Sequence, residues 1–305
     1  MSVANTAVKI LVPITIDDTT LTSTNVSENP PADWNAATAY VEGDLVVRPL
    51  LHKIYVRNVA GTTATAPELD SVNWTFRGAS NPYAMFDNKN STQTTNEDEI
   101  IVEITPGTIV NGLYLSNVDA FEVSVSGTDP VAGTILPLTT YSMQSPPTAA
   151  NWYAYFFDPI RYKKSIYIPL PSYRNATFTV TITRTGGTAA VGNLVIGKVH
   201  VYGEGIEFGA GGGIISYSTN QTNQFGEREL VPRGYSNKAQ CNIWVSSTEA
   251  DYFFDLMVSL RDTVCLYVLT EKFQFMQVLG FVKNCEPVIN YEDTVIFNAQ
   301  IEGIS

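Results

Sequence analysis

Apolar residues in the first two thirds of the chain come in short runs rich in Val, Ile, Thr, Tyr and Phe. Clusters of Gly, Pro, Asn and Asp break them roughly every ten residues, a spacing that predicts strands packed as sandwiches or barrels. The first run, residues 8–16 (VKILVPITI), contains Pro13. Proline lacks the N–H a central strand needs, so this run is expected at a sheet edge or as an extended arm. Residues 23–33, with Asn29, Pro30 and Pro31, read as a polar linker. Residues 34–78 form a unit too small for an ordinary core, which must lean on its aromatics or its neighbours. Strand-like runs then continue at 100–104, 112–115, 121–125, 165–169, 176–183 and 194–202. Glycines crowd 203–213 without the spacing or following helix of a phosphate cradle, and predict a linker or a close backbone crossing.

The period changes in the last hundred residues. Residues 246–249 (SSTE) have the form of a capping box, and Tyr252, Phe253, Leu256, Met257 and Leu260 follow at helical spacing. Runs at 264–269, 273–282 and 294–301 predict strands around that single helix. The expected fold is therefore mainly β and multidomain. Its parts are an arm and linker (1–30), a small aromatic β module (31–78), a jelly-roll β-sandwich (79–205) and a C-terminal α+β docking domain with one helix (206–305).

Composition narrows the function. Charged residues make up 16% of the chain, against about 25% in an average soluble domain. Eighteen basic against 30 acidic residues leave a net charge of −12, opposite to the basic footprint of a nucleic-acid binder. The 44% hydrophobic content suffices for real cores, and no apolar run approaches the roughly 18 residues of a spanning helix. The first ten residues lack a basic region leading into an apolar stretch, so a cleaved secretory signal is not expected. Cys241, Cys265 and Cys285 are widely spaced and are expected as buried small hydrophobes.

Little in the chain points to catalysis. His52 and His200 are its two histidines, and no zinc-binding His/Cys pattern is present. Glu97, Asp98 and Glu99 read as a solvated turn before a strand. The expectation is a protein without enzymatic activity or cofactor. Binding chemistry fits better, because sugars pair apolar faces with hydroxyls and are met by aromatic rings beside polar groups. Trp34, His52, Tyr55 and Trp74 are the candidates for sugar contact, each with an alternative reading as core. Asp87, with Asn88 and Asn90, could offer oxygen ligands to a cation or could cap a turn.

Three resemblances add to this. The pattern W-x5-Y-x2-G-D-x-V from Trp34 to Val46, followed by Tyr55, Pro67 and Trp74, resembles the small chitin-binding-type (family 5/12-like) carbohydrate modules of polysaccharide hydrolases and phage tail proteins. It departs from them at Arg57, Asn58 and Val59, where those modules carry further aromatics that face the sugar. Residues 84–95 and the closing run 194–203 resemble the entry and last strand of a discoidin-like or galactose-binding-like jelly roll. The order of parts, ending in residues 301–305 (IEGIS), resembles tail-tip or baseplate proteins of long-tailed bacteriophages. That resemblance implies a virion structural subunit, made in the bacterial host cytoplasm. It implies other tail or baseplate subunits as partners, a ring-forming homo-oligomer and contact with host surface carbohydrate, without nucleic acid or membrane insertion. A secreted polysaccharide-binding or glycan-hydrolysing protein and a dedicated receptor-binding adhesin are the alternatives.

Overall fold

The computed structural model describes residues 3–4, 7–28, 30–145, 160–222 and 226–304. The chain is mainly β, and alternation of buried and exposed side chains decides which face each strand turns inward. Strands are numbered in chain order. A five-stranded antiparallel sheet runs β10 (Gly133–Ser142), β9 (Glu122–Asp129), β14 (Thr177–Val191), β7 (Thr94–Ile104), β3 (Leu21–Thr24). Its inward residues, among them Ile100, Val102, Ile104, Val123, Phe178, Val180 and Ile182, share one apolar core with Leu113, Leu115, Ile168, Leu194 and Ile196. The latter five come from β8 (Val110–Ser116), β13 (Ser165–Tyr173) and β15 (Asn193–Tyr202), one end of a second, longer sheet.

That longer sheet continues through β2 (Val8–Pro13), β21 (Cys265–Val268), β22 (Gln277–Ile289), β23 (Thr294–Gly303) and β20 (Tyr235–Ser246). Residues 8–13 are thus neither edge nor arm. β2 lies between β15 and β21, and its Val8 and Ile10 enter one core while Leu11 enters another on the opposite face. Pro13 is tolerated because it ends the strand: β21 pairs only with Lys9 to Leu11, so the missing N–H falls past that ladder. Close approach makes the seat specific. A Cβ on Gly197, which opposes Pro13, would sit 1.9 Å from the Val12 carbonyl oxygen. The first two residues of the expected linker, Ser23 and Thr24, belong to β3, which begins at Leu21 in the five-stranded sheet.

The glycine-rich stretch meets the second of its two expectations, a close backbone crossing: a Cβ on Gly203 would sit 2.6 Å from the Trp244 carbonyl oxygen. Instead of a linker it supplies β16 (Gly205–Glu207) and β17 (Gly211–Ser216), both paired with β20, and β16 also pairs with β1 (Val3–Ala4). Glycine serves close packing here, since a Cβ on Gly212 would meet the Phe275 ring at 2.7 Å. Helix α1 (Ala250–Ser259) packs Phe253 and Met257, with Leu260 just beyond, onto β20, β22 and β23. The expected capping box does not form. Ser246 ends β20, Glu249 takes the N-cap position, and no side chain caps the helix. Two further ribbons, β11 (Gln144–Ser145) with β12 (Arg161–Tyr162) and β18 (Thr219–Thr222) with β19 (Arg228–Val231), pair only with each other.

Between β3 and β7 the chain makes a separate three-stranded sheet, β4 (Leu45–Arg48), β5 (Lys53–Arg57) and β6 (Trp74–Ala79). Its core is only Val46, Tyr55 and Trp74, with Trp34 and Tyr40 packed against them. So small a core depends on ring geometry: Tyr40 meets Trp74 edge-on, with centroids 5.1 Å apart.

Candidate functional site

Of the four residues expected to touch sugar, two are withdrawn from any ligand. Trp74 is 2% exposed and Tyr55 5%, because alternation turns both into the module's own core. Trp34 is half-buried, and the Arg48 guanidinium lies 5.1 Å from its ring centroid. Glu68 fixes that arginine through two hydrogen bonds of 2.8 and 3.1 Å. The departure at Arg57 has a structural role. Arg57 is 3% exposed, lies 4.9 Å from the Trp74 ring centroid and donates to the Gly61 carbonyl. It packs on the tryptophan ring and leaves no sugar platform there.

Asp87 caps a turn. The Lys89 amide donates to its Oδ1 at 2.9 Å and the Thr92 hydroxyl to its Oδ2 at 2.8 Å, and burial raises its pKa. Asn90 donates to the Ile304 carbonyl and accepts from Asn193, tying this loop to the C-terminal strand end. Among the described residues no group of three His, Cys, Asp or Glu side chains is placed to hold a metal.

His52 alone of the four faces an accessible hollow. Pro49–Leu51 form a single 3-10 turn that ends on His52 in the left-handed region, φ 53°. From there its Nε2 lies 2.5 Å from Asp18 Oδ1 and its Nδ1 2.8 Å from Glu28 Oε1. The ring stacks on Tyr83, centroids 3.7 Å apart, and the Tyr83 hydroxyl donates to the same Asp18 oxygen at 2.8 Å. The hydrogen bonds from Tyr83 and His52 hold the Asp18 carboxyl below its usual range, and burial followed by that carboxylate drives the Tyr83 hydroxyl far above its own. These four side chains join the small module to the turn after β2, the segment after β3 and the turn before β7.

Beside them opens a groove of about 490 Å³, lined by His52, Tyr83, Asp18, Lys53, Phe76 and Phe86 among others. Phe76 is the groove-lining residue that sequence reasoning missed. It is 50% exposed, with the Lys53 ammonium 5.6 Å from its ring centroid. A signal existed, an aromatic two positions after Trp74 and in continuous register with it on the same strand face, but alternation does not tell that this face is buried at Trp74 and half-open at Phe76.

Two other places have less convergent chemistry. A cleft of about 730 Å³ lies along β17 over the polar outer face of β20 and β23, where Asn242 donates to Glu207 and Lys283 to Glu302. It is an open strand face on which side chains pair with one another. His200, on β15, stacks near Tyr202, and burial and then Lys198 lower its pKa; no carboxylate orients it among the described residues.

No family model and no curated protein matches the chain. Among solved structures, chitosan-binding module 1 of a chitosanase/glucanase from Paenibacillus sp. IK-5 aligns over 38% of this chain and 82% of its own. The identity is 11% and the TM-score 0.26, a likeness too slight to carry an argument.

Proposed function

We propose that this chain is a non-catalytic structural subunit that assembles in several copies, of the kind that builds the tail tip or baseplate of a long-tailed bacteriophage. In this reading residues 206–305 dock against neighbouring subunits. The small module, with its chitin-binding-type pattern, and the jelly-roll-like unit are displayed. The observation that carries it is the set of exposed apolar side chains on helix α1. Phe253 and Met257 fill the core beneath it, while Phe254 and Val258 on one flank and Tyr252, 73% exposed, on the other stay open on either side of Asp251 and Asp255. Exposed apolar side chains gathered on one element mark an interaction surface more often than accident. Neighbouring open strands support the same reading. The half of β22 beyond Gly280 pairs with β23 alone, and Phe281, Ile289 and, after the strand, Tyr291 are exposed along it. Sedimentation across a concentration series tests the proposal: discrete oligomers support it, and a monomer at every concentration overturns it.

The groove beside His52 favours a second reading, in which the displayed module touches surface glycans. A half-exposed Phe76 ring next to an ammonium and a carboxylate has the mixed apolar and polar character a sugar face requires. Binding to an array of chitin oligosaccharides and lipopolysaccharides that is lost in Phe76→Ala supports it. An array without signal overturns it.

A further inference from the structure

We propose that His52 is a proton-operated clamp that fixes the small module against the two-sheet unit and so sets the shape of the groove. The argument is a count of donors. An ionised carboxylate only accepts hydrogen bonds, and a neutral imidazole carries one N–H. Both ring nitrogens of His52 face carboxylate oxygens, at 2.5 and 2.8 Å. Only the imidazolium satisfies both; the neutral ring turns a lone pair on one of them.

The surroundings sharpen the dependence. Among the described residues Glu28 Oε2 is buried without a partner, and the carboxylate's bond is the one from His52. Asp18 is shared between His52 and Tyr83, with Asp17 beside it on the same turn. On the module side the neighbouring charge is Lys53, and Asp87 and Lys89 face the groove from the opposite wall. Around the ring, negative groups therefore include the two it contacts, Asp18 and Glu28, and protonation stabilises the closed cluster. The Ser80 amide, directly after β6, donates to the His52 carbonyl at 2.8 Å and so holds His52 at the end of the β5–β6 ladder. Because His52, Asp18 and Tyr83 also line the groove, release of the ring alters the groove directly.

The clamp holds where the carboxylates are ionised and the imidazole is protonated. It lets go when the ring loses that proton as pH rises. The test is a spin-label distance between Leu69→Cys on the module and Val131→Cys on the β9–β10 turn, both exposed, in a Cys285→Ala background. The expected distribution is narrow near pH 5.5 and at least about twofold broader near pH 8.5. The variant Asp18→Asn with Glu28→Gln supplies amides that both accept and donate, so a neutral ring is satisfied and the pH response disappears. Unchanged melting temperature confirms that this variant is folded. A wild-type distribution that does not change with pH overturns the proposal, and so does a pH response that persists in the double variant.

Discussion

At the scale of single residues, neighbouring aromatics have opposite roles that composition does not separate. Trp74 and Phe76 lie two apart on β6, yet one is core and the other half-exposed. Trp74→Ala is expected to cost about 3–5 kcal/mol, since it removes the largest member of a three-residue core and strands Arg57. The measurement is limited proteolysis: cleavage within 31–78 appears while the rest of the chain stays resistant. Phe76→Ala should stay within about 0.5 kcal/mol of the parent in urea unfolding. The cysteines give a second residue-scale expectation. Burial pushes Cys241 and Cys265 up to about 12 and Cys285 up to about 11. An unfolded thiol ionises near pH 8.5. Between these values the unfolded chain releases protons that the folded chain keeps, so stability is intact below about pH 8.5 and falls as pH rises above it. Urea unfolding at pH 7 and at pH 10 checks the sign. The slope should shrink in Cys241→Ala, compared with its own stability at pH 7.

Elements were legible in the sequence where local pattern decides them, and illegible where long-range pairing does. The strands at 100–104, 176–183 and 194–202 and the helical stripe of Phe253, Met257 and Leu260 follow from periodicity, and the structure contains them. The place of β2 does not follow. Pro13 pointed to an edge, but a proline at the last position of a strand removes no bond the ladder uses. The glycine run was read as a linker or a close backbone crossing because glycine admits tight approach; its pairing with β20 depends on residues some twenty to thirty positions away. The site was legible only in His52. Asp18, Glu28 and Tyr83 lie 34, 24 and 31 positions from it, and no local spacing announces such a cluster. β2 also yields an element-scale prediction. Gly197→Ala places a methyl where the Val12 carbonyl oxygen lies 1.9 Å away, which forces β2 and β15 apart. The expected cost is about 3 kcal/mol or more, read as a lowered urea midpoint. Because β2 contributes to two cores, near-UV circular dichroism should report loss of packing in both halves of the long sheet. A variant as stable as the parent would show that β2 is not held this closely.

For the whole molecule, scarcity of charge is the property that the surface makes concrete. With 16% charged residues, apolar side chains have to appear outside, and in the last hundred residues they gather on α1 and along the open half of β22. Exposed patches of this kind mark interaction sites more often than accident. On α1 the pair Phe254 and Val258 is four residues apart and so forms one continuous strip, with Asp251 and Asp255 beside it. Neither residue belongs to the core that Phe253 and Met257 build beneath the helix. Changing both to Asp should therefore leave the melting temperature of the dissociated chain within a few degrees, because exposed substitutions cost little. It should weaken association strongly, because an aspartate buried in an interface without a partner is penalised by several kcal/mol. The two measurements, sedimentation for assembly and calorimetry for stability, must separate. If association falls while stability holds, α1 is an assembly face. If both fall together, its outer side chains belong to the fold of the single chain. If neither changes, the contacts between copies lie elsewhere, with the open edge of β22 as the next segment to alter.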